Sequence, residues 1–219
     1  MIDLELIRKL ARDVDVTAIC DADKTTRVLL GIQPRSKNRW MCGPAFTVRC
    51  RDDFFGVVQA IEGAKPGDVV VVDGGGKEIA YAGELFARAA QSRGLGGIVV
   101  DGGYRDVGYV AGCDLPVYSR YVVPMAGGTN KLGELQIPVT CGGVTVSPGD
   151  VVLADAEGMI VLAPERAVEL LRSARAIKDA EAAAIATIDR GGSLTHCLNV
   201  TAHYENLAGG KPSRLAFTG

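Results

Sequence analysis

Residues able to do chemistry gather in one short stretch, Gly97-Ile98-Val99-Val100-Asp101-Gly102-Gly103-Tyr104-Arg105-Asp106. A continuous β-branched run reads as a strand buried on both faces, and Gly102-Gly103 reads as its break. An arginine beside an aspartate just past a strand end can hold a carboxylate and a hard cation at once. The same two residues can equally form a surface ion pair or open a helix, and the turn alone leaves both readings standing. If the stretch is a site, Asp106 with Asp101, Glu84 and Glu181 supplies oxygen ligands of the kind that suit Mg²⁺ or Mn²⁺.

Other chemistries lack their residues. Gly94-Leu95-Gly96-Gly97 precedes a strand, whereas a dinucleotide fingerprint follows one and opens a helix. Gly74-Gly75-Gly76-Lys77 lacks the spacing and the hydroxyl residue of a phosphate loop. The two histidines, His196 and His203, fall near the C-terminus, so neither zinc nor a histidine-centred triad is supported. No serine sits in a Gly-x-Ser-x-Gly elbow, and no two of the six cysteines form a Cys-x-x-Cys pair.

The elements that must position the stretch follow from periodicity. Leu4, Ile7 and Leu10 give a short amphipathic helix over 3–12, with Asp3 as its cap. Asp21 and Asp23 close a second short segment over 17–23 as cap and turn. Gly43 to Cys50 reads as a strand, after which Asp52 or Asp53 can cap a helix running through Ile61. Pro66-Gly67-Asp68 and Pro148-Gly149-Asp150 each open an apolar run that ends in an acidic turn, over 69–73 and 150–155. Apolar residues over 79–92 predict a narrow helix, so strand, helix and strand 97–101 form a βαβ unit with a parallel pair.

Pro116 to Ser119 is a further short strand, and 124–134 is an exposed loop. From 137 to 164, strands over 138–141, 144–146, 150–155 and 158–163 predict a meander or small barrel-like sheet. Pro164 opens a long helix to about Arg190. Its far half, rich in alanine, suits a small-residue contact with another subunit. The tail from Gly191 reads as irregular, with a last turn or two over 201–207.

Composition sets the outer bounds. The chain has 219 residues, enough for one sizeable domain, and 24 basic against 26 acidic side chains give a net charge of −2. No basic block suggests a nucleic-acid surface, so an anionic small molecule must be met locally. Charges inside the first turns argue against a signal peptide, and no apolar run reaches membrane-spanning length. Scattered thiols fit a reducing, cytoplasmic setting. Asn199-Val200-Thr201 matches a glycosylation sequon that such a setting leaves unmodified.

Five runs in order, Gly43 to Val48, Glu62 to Gly74, Gly83 to Ala87, Gly97 to Asp106 and Pro138 to Asp150, resemble the family that joins regulator of ribonuclease activity A to the 4-hydroxy-4-methyl-2-oxoglutarate aldolases. The resemblance spans roughly residues 15–190. It implies an α/β fold of the swivelling β/β/α type, with the βαβ unit and a long C-terminal helix. It also implies a trimer, or a hexamer of two trimers, with the site between subunits.

In the aldolase branch the residue matching Asp106 binds Mg²⁺ or Mn²⁺ directly, and the one matching Arg105 holds the pyruvate carboxylate. Glu84 matches an acid, often Asp in the family, that reaches the metal through water. Its helix then begins near Gly83, and the amides of Leu85 and Phe86 face the substrate. Glu181 matches by position an acid contributed by the neighbour's long helix. The implied activity is metal-dependent, lysine-independent retro-aldol cleavage of 4-hydroxy-4-methyl-2-oxoglutarate or 4-carboxy-4-hydroxy-2-oxoadipate-like acids, with oxaloacetate decarboxylation beside it. The regulator branch implies instead a non-catalytic protein that binds a nuclease or helicase.

Overall fold

The structure, a computed structural model, describes residues 3–218. The first half of the chain runs α1 (Leu4–Ala11), α2 (Val16–Ala22), β1 (Arg27–Val28), β2 (Gln33–Pro34), β3 (Met41–Arg49), α3 (Phe55–Gly63), β4 (Val69–Ala82), α4 (Glu84–Ser92) and β5 (Gly97–Tyr104). It continues with α5 (Val107–Val110), β6 (Val117–Val122), β7 (Glu134–Leu135), β8 (Val139–Cys141), β9 (Val144–Val146), β10 (Val151–Ala154) and β11 (Met159–Leu162). Three helices end it, α6 (Pro164–Asp189), α7 (Leu194–Cys197) and α8 (Val200–Ala208).

One large mixed sheet carries the molecule, in the order β1-β11-β10-β3-β4-β5-β6-β2, with β7 paired to β3. Its centre, β3 through β6, is parallel. Pleating divides the central valines between two cores. Val70, Val72, Ile98 and Val100 face α3 and α4, while Val69, Val71 and Val99 face the β8–β9 hairpin. A third core packs α1, α2 and the Ala167, Leu170, Leu171 and Ala174 stripe of α6 against β10 and β11. This is the mixed α/β fold expected, with the βαβ unit β4–α4–β5 and a long helix near the C-terminus. No helix among the described residues is long and apolar enough to cross a membrane.

The repeated Pro-Gly-Asp turns have a common use. Gly67 and Gly149 both adopt positive φ, +86° and +82°, and each turn launches a strand that flanks β3, β4 on one side and β10 on the other.

Several expectations need correction. The helix predicted over 79–92 starts only at Glu84, because Ile79 to Ala82 continue β4 beside β5. Short apolar runs carry no period that separates strand from helix, and the alanines tipped the reading the wrong way. Gly102-Gly103 does not end β5, which runs on to Tyr104 through an irregular register. A Cβ at Gly103 would overlap Val123 and crowd the Ile79 carbonyl, so close packing, not a break, is what glycine serves there.

The 137–164 region is not one meander. β8 and β9 form a separate hairpin, whereas β10 and β11 join the main sheet through β3. Beyond α6 the tail carries one helix not expected, α7, while the last turn or two expected over 201–207 is the nine-residue α8.

Candidate active site

The ends of β4 and β5 lie side by side, and three successive residues of one meet three of the other. Arg105 N donates to Ala82 O at 3.0 Å, Tyr104 Oη donates to Gly83 O at 3.0 Å, and Glu84 N donates to Asp106 Oδ2 at 3.0 Å. Gly83 is the N-cap of α4 and offers no side-chain cap, so the Asp106 carboxylate takes that place from across the gap. A Cβ at residue 83 would overlap Asp106 Oδ2, so any larger residue here would push that carboxylate off the Glu84 amide.

Asp106 sits in the left-handed region at φ 59° and ψ 41°, a conformation that aspartate tolerates better than most residues. Its carboxylate stays 43% exposed and lies 3.6 Å from Arg105 Nε. Glu84 begins α4 with its carboxylate 38% exposed, tied at 2.7 Å to Arg88 Nε four residues on. Arg88 in turn lies over the Tyr109 ring at 4.0 Å.

Leu85 and Phe86 occupy the first turn of α4, where helix geometry leaves amides without an intrahelical acceptor and favours an anion. Their side chains, with Phe54, Val58, Ile61 and Arg105, line an open groove of about 330 Å³. Phe86 is held edge-on against Phe54 at 5.7 Å between ring centres. A larger cavity, about 600 Å³, lies between the far half of α6 and the tail, and contains none of the candidate residues. Chemistry rather than size locates the site: Arg105 and the first turn of α4 line the smaller groove, and the Asp106 carboxylate bonds the amide that opens that turn.

The structure therefore brings together Gly83, Glu84, Leu85, Phe86, Arg105 and Asp106. It does not bring Glu181 to them within one chain. Glu181 lies on α6 with its carboxylate 3.3 Å from Lys178 Nζ, and among the described residues no three His, Cys, Asp or Glu side chains converge as a metal set. Asp101 is corrected as well. It is buried inside β5 with its two oxygens bound by Arg120 Nε and Gly142 N, so it does not join Asp106 and Glu84 as an oxygen ligand.

Sequence reasoning missed Arg88 and Tyr104. The four-residue spacing from Glu84 could have flagged Arg88. The contact of Tyr104 with Gly83 crosses 21 positions and leaves no local trace.

The fold and site define an α/β protein whose parallel βαβ unit presents one arginine, two carboxylates and a helix N-terminus at a shared edge. Comparison with known proteins agrees. Residues 16–161 match the family described as "Aldolase/RraA". Over 167 residues the chain is 34% identical to a Halalkalibacterium halodurans protein named "Putative 4-hydroxy-4-methyl-2-oxoglutarate aldolase", covering 75% of this chain and 80% of that one. An uncharacterised Methanocaldococcus jannaschii protein is 34% identical over 86% of this chain and 92% of its own.

Among solved structures, Streptomyces coelicolor RraAS2 superposes with a TM-score of 0.72 at 29% identity, over 82% of this chain and 94% of that one. It is described as an unusual member of the RNase ES inhibitor RraA protein family. The chain belongs to the Aldolase/RraA family.

Proposed function

We propose that this protein is a divalent-cation-dependent pyruvate aldolase that cleaves 4-hydroxy-2-oxo acids of the 4-hydroxy-4-methyl-2-oxoglutarate or 4-carboxy-4-hydroxy-2-oxoadipate kind. The carrying observation is the clamp at the strand ends, where Asp106 accepts the Glu84 amide while Arg105 stands 3.6 Å from the same carboxylate oxygen. The donor set suits Mg²⁺ or Mn²⁺, hard ions content with one or two carboxylates plus water and substrate oxygens. Asp106 would hold the ion directly, and Glu84 through water. Glu181 from a neighbouring copy, in a trimer or a hexamer of two trimers, would close the site.

The chain's own residues would divide the reaction as follows. Arg105 and the α4 amides at Leu85 and Phe86 hold the substrate's 1-carboxylate and set its orientation. The C4 hydroxyl loses its proton to a water held by Glu84 and Glu181. The C3–C4 bond then breaks, and its electron pair passes to C3 and the 2-oxo group, where Arg105 offsets the developing charge. The same water returns a proton to C3 to give pyruvate. A divalent cation, when bound, supplies further positive charge where negative charge develops. Oxaloacetate decarboxylation leaves the same electron pair on C3 and belongs to the same site.

A second reading, a non-catalytic regulator of ribonuclease activity, is favoured by the description of the Streptomyces relative. It gives the outward-facing carboxylates no task. The experiment is pyruvate release from 4-hydroxy-4-methyl-2-oxoglutarate and from oxaloacetate, with Mg²⁺ or Mn²⁺ and with excess EDTA. Turnover that EDTA abolishes is expected. Full activity in EDTA would overturn the proposal.

A further inference from the structure

We propose that Tyr104 is a positioning residue for this site, its buried hydroxyl fixing the Gly83–Glu84 peptide that orients Asp106 and the α4 amides. The inference rests on the cation-binding reading above.

Tyr104 closes β5 and is fully buried, yet its side chain reaches the N-cap of α4 and donates to Gly83 O. Burial pushes its phenol far above the ordinary range, so it stays a neutral donor. The Gly83–Glu84 peptide is thereby gripped at both ends. Its carbonyl accepts from Tyr104 Oη at 3.0 Å and from Ala87 N at 3.1 Å, and its N–H donates to Asp106 Oδ2 at 3.0 Å.

A peptide unit is planar, so whatever fixes the carbonyl also fixes the direction of the N–H. Turning the plane would carry the acceptor point of Asp106 with it and would re-aim the next amides, at Leu85 and Phe86. Asp106 is also held at positive φ, which persists only where the surroundings over-determine it. The Tyr104 hydroxyl is one of the groups that do so.

Tyr81 supplies an internal control. It is equally buried, it belongs to the same core, and its hydroxyl likewise donates to a backbone carbonyl, Gly74 O at 2.9 Å. It touches none of the site residues through that bond. A purely structural role for buried tyrosine hydroxyls therefore predicts the same behaviour for both residues, and a positioning role predicts a difference.

Tyr104→Phe and Tyr81→Phe keep both rings in the core, and Gly83 O keeps its Ala87 donor, so folding should survive. Mn²⁺ binding to the full chain without substrate, followed by electron paramagnetic resonance, separates the alternatives at a temperature where thermal melts show all three proteins folded. Tyr104→Phe is expected to weaken Mn²⁺ binding about three- to tenfold, the scale of one neutral hydrogen bond, and to lower kcat/KM for oxaloacetate alongside. Tyr81→Phe should leave Mn²⁺ binding unchanged even where its melting temperature falls equally. Hydrogen exchange at the Glu84 amide, which donates to Asp106 Oδ2, should quicken on the same samples in Tyr104→Phe alone. Unchanged Mn²⁺ binding in Tyr104→Phe, or equal weakening in both variants, would overturn the inference while leaving the site intact. A wild-type protein that binds no Mn²⁺ would overturn the site and the inference together.

Discussion

Two pairs of carboxylates sit on the same βαβ unit and meet opposite fates. Asp73 and Asp101 are register partners on β4 and β5, 3% and 5% exposed. Glu84 and Asp106 lie beyond the ends of those strands and stay open to solvent.

Both oxygens of each inner carboxylate are bonded. Asp73 accepts from Arg51, Arg49 and the amides of Gly75 and Thr140, and Asp101 from Arg120 and the amide of Gly142. Burial alone would push the Asp73 carboxyl up, but the Arg51 guanidinium and the two amides outweigh it and hold it down. Through Thr140 and Gly142 both acids tie the β8–β9 hairpin to the sheet. The outer pair has oxygen lone pairs left over. Identical chemistry in one motif thus becomes a fastening where both carboxylate oxygens are bonded, and a candidate site where one oxygen of each acid is left over.

The largest expected effect that could break this comparison is on the inner pair. Asp101→Ala leaves Arg120 and the Gly142 amide without their acceptor and should cost about 3 kcal/mol. In a chain of this size that lowers the melting temperature by roughly 6–12 °C. Mn²⁺ binding at 25 °C should persist. An unchanged melt with lost Mn²⁺ binding would reverse the roles assigned to the two pairs.

A smaller effect tests the intermediate case, Asp15, which caps α2 and meets Lys178 of α6 at 2.8 Å. Burial raises its carboxyl, but hydrogen bonds from Lys178, Thr17 and the Ala18 amide prevail and lower it from 3.8 to about 2. A depressed carboxylate stabilises the fold above its unfolded pKa and loses that contribution as pH falls through the folded one. Asp15→Ala should therefore cost about 1 kcal/mol near neutral pH, as a lost cap does. The gap between variant and wild-type urea midpoints should narrow as pH drops below about 4. A gap independent of pH would show that the carboxylate charge contributes nothing.

Much of this was legible in the sequence, and the limits are physical. The helix over 4–11, its Asp3 cap, the parallel strands and the long helix opened by Pro164 all follow from period and capping chemistry. The strand character of Ile79 to Ala82 was not, because it depends on pairing with β5, a tertiary fact. The Arg105-Asp106 dyad stood out because two charges follow a buried strand.

Asp101 misled for the same reason. Its partner Arg120 is 19 residues away, and no local pattern marks an acid that will be closed off. The hydroxyl of Tyr104 was invisible in the same way, since tyrosine at a strand end is unremarkable until its acceptor is known.

The most direct test of the central claim, that the open pair does the chemistry, is pyruvate release by Asp106→Ala beside wild type, with saturating Mn²⁺ and matched melting temperatures. Loss of turnover by at least about 10²–10³-fold is expected, the scale of removing one group that stabilises developing charge. Equal release by the variant would contradict the account and remove Asp106 from the site.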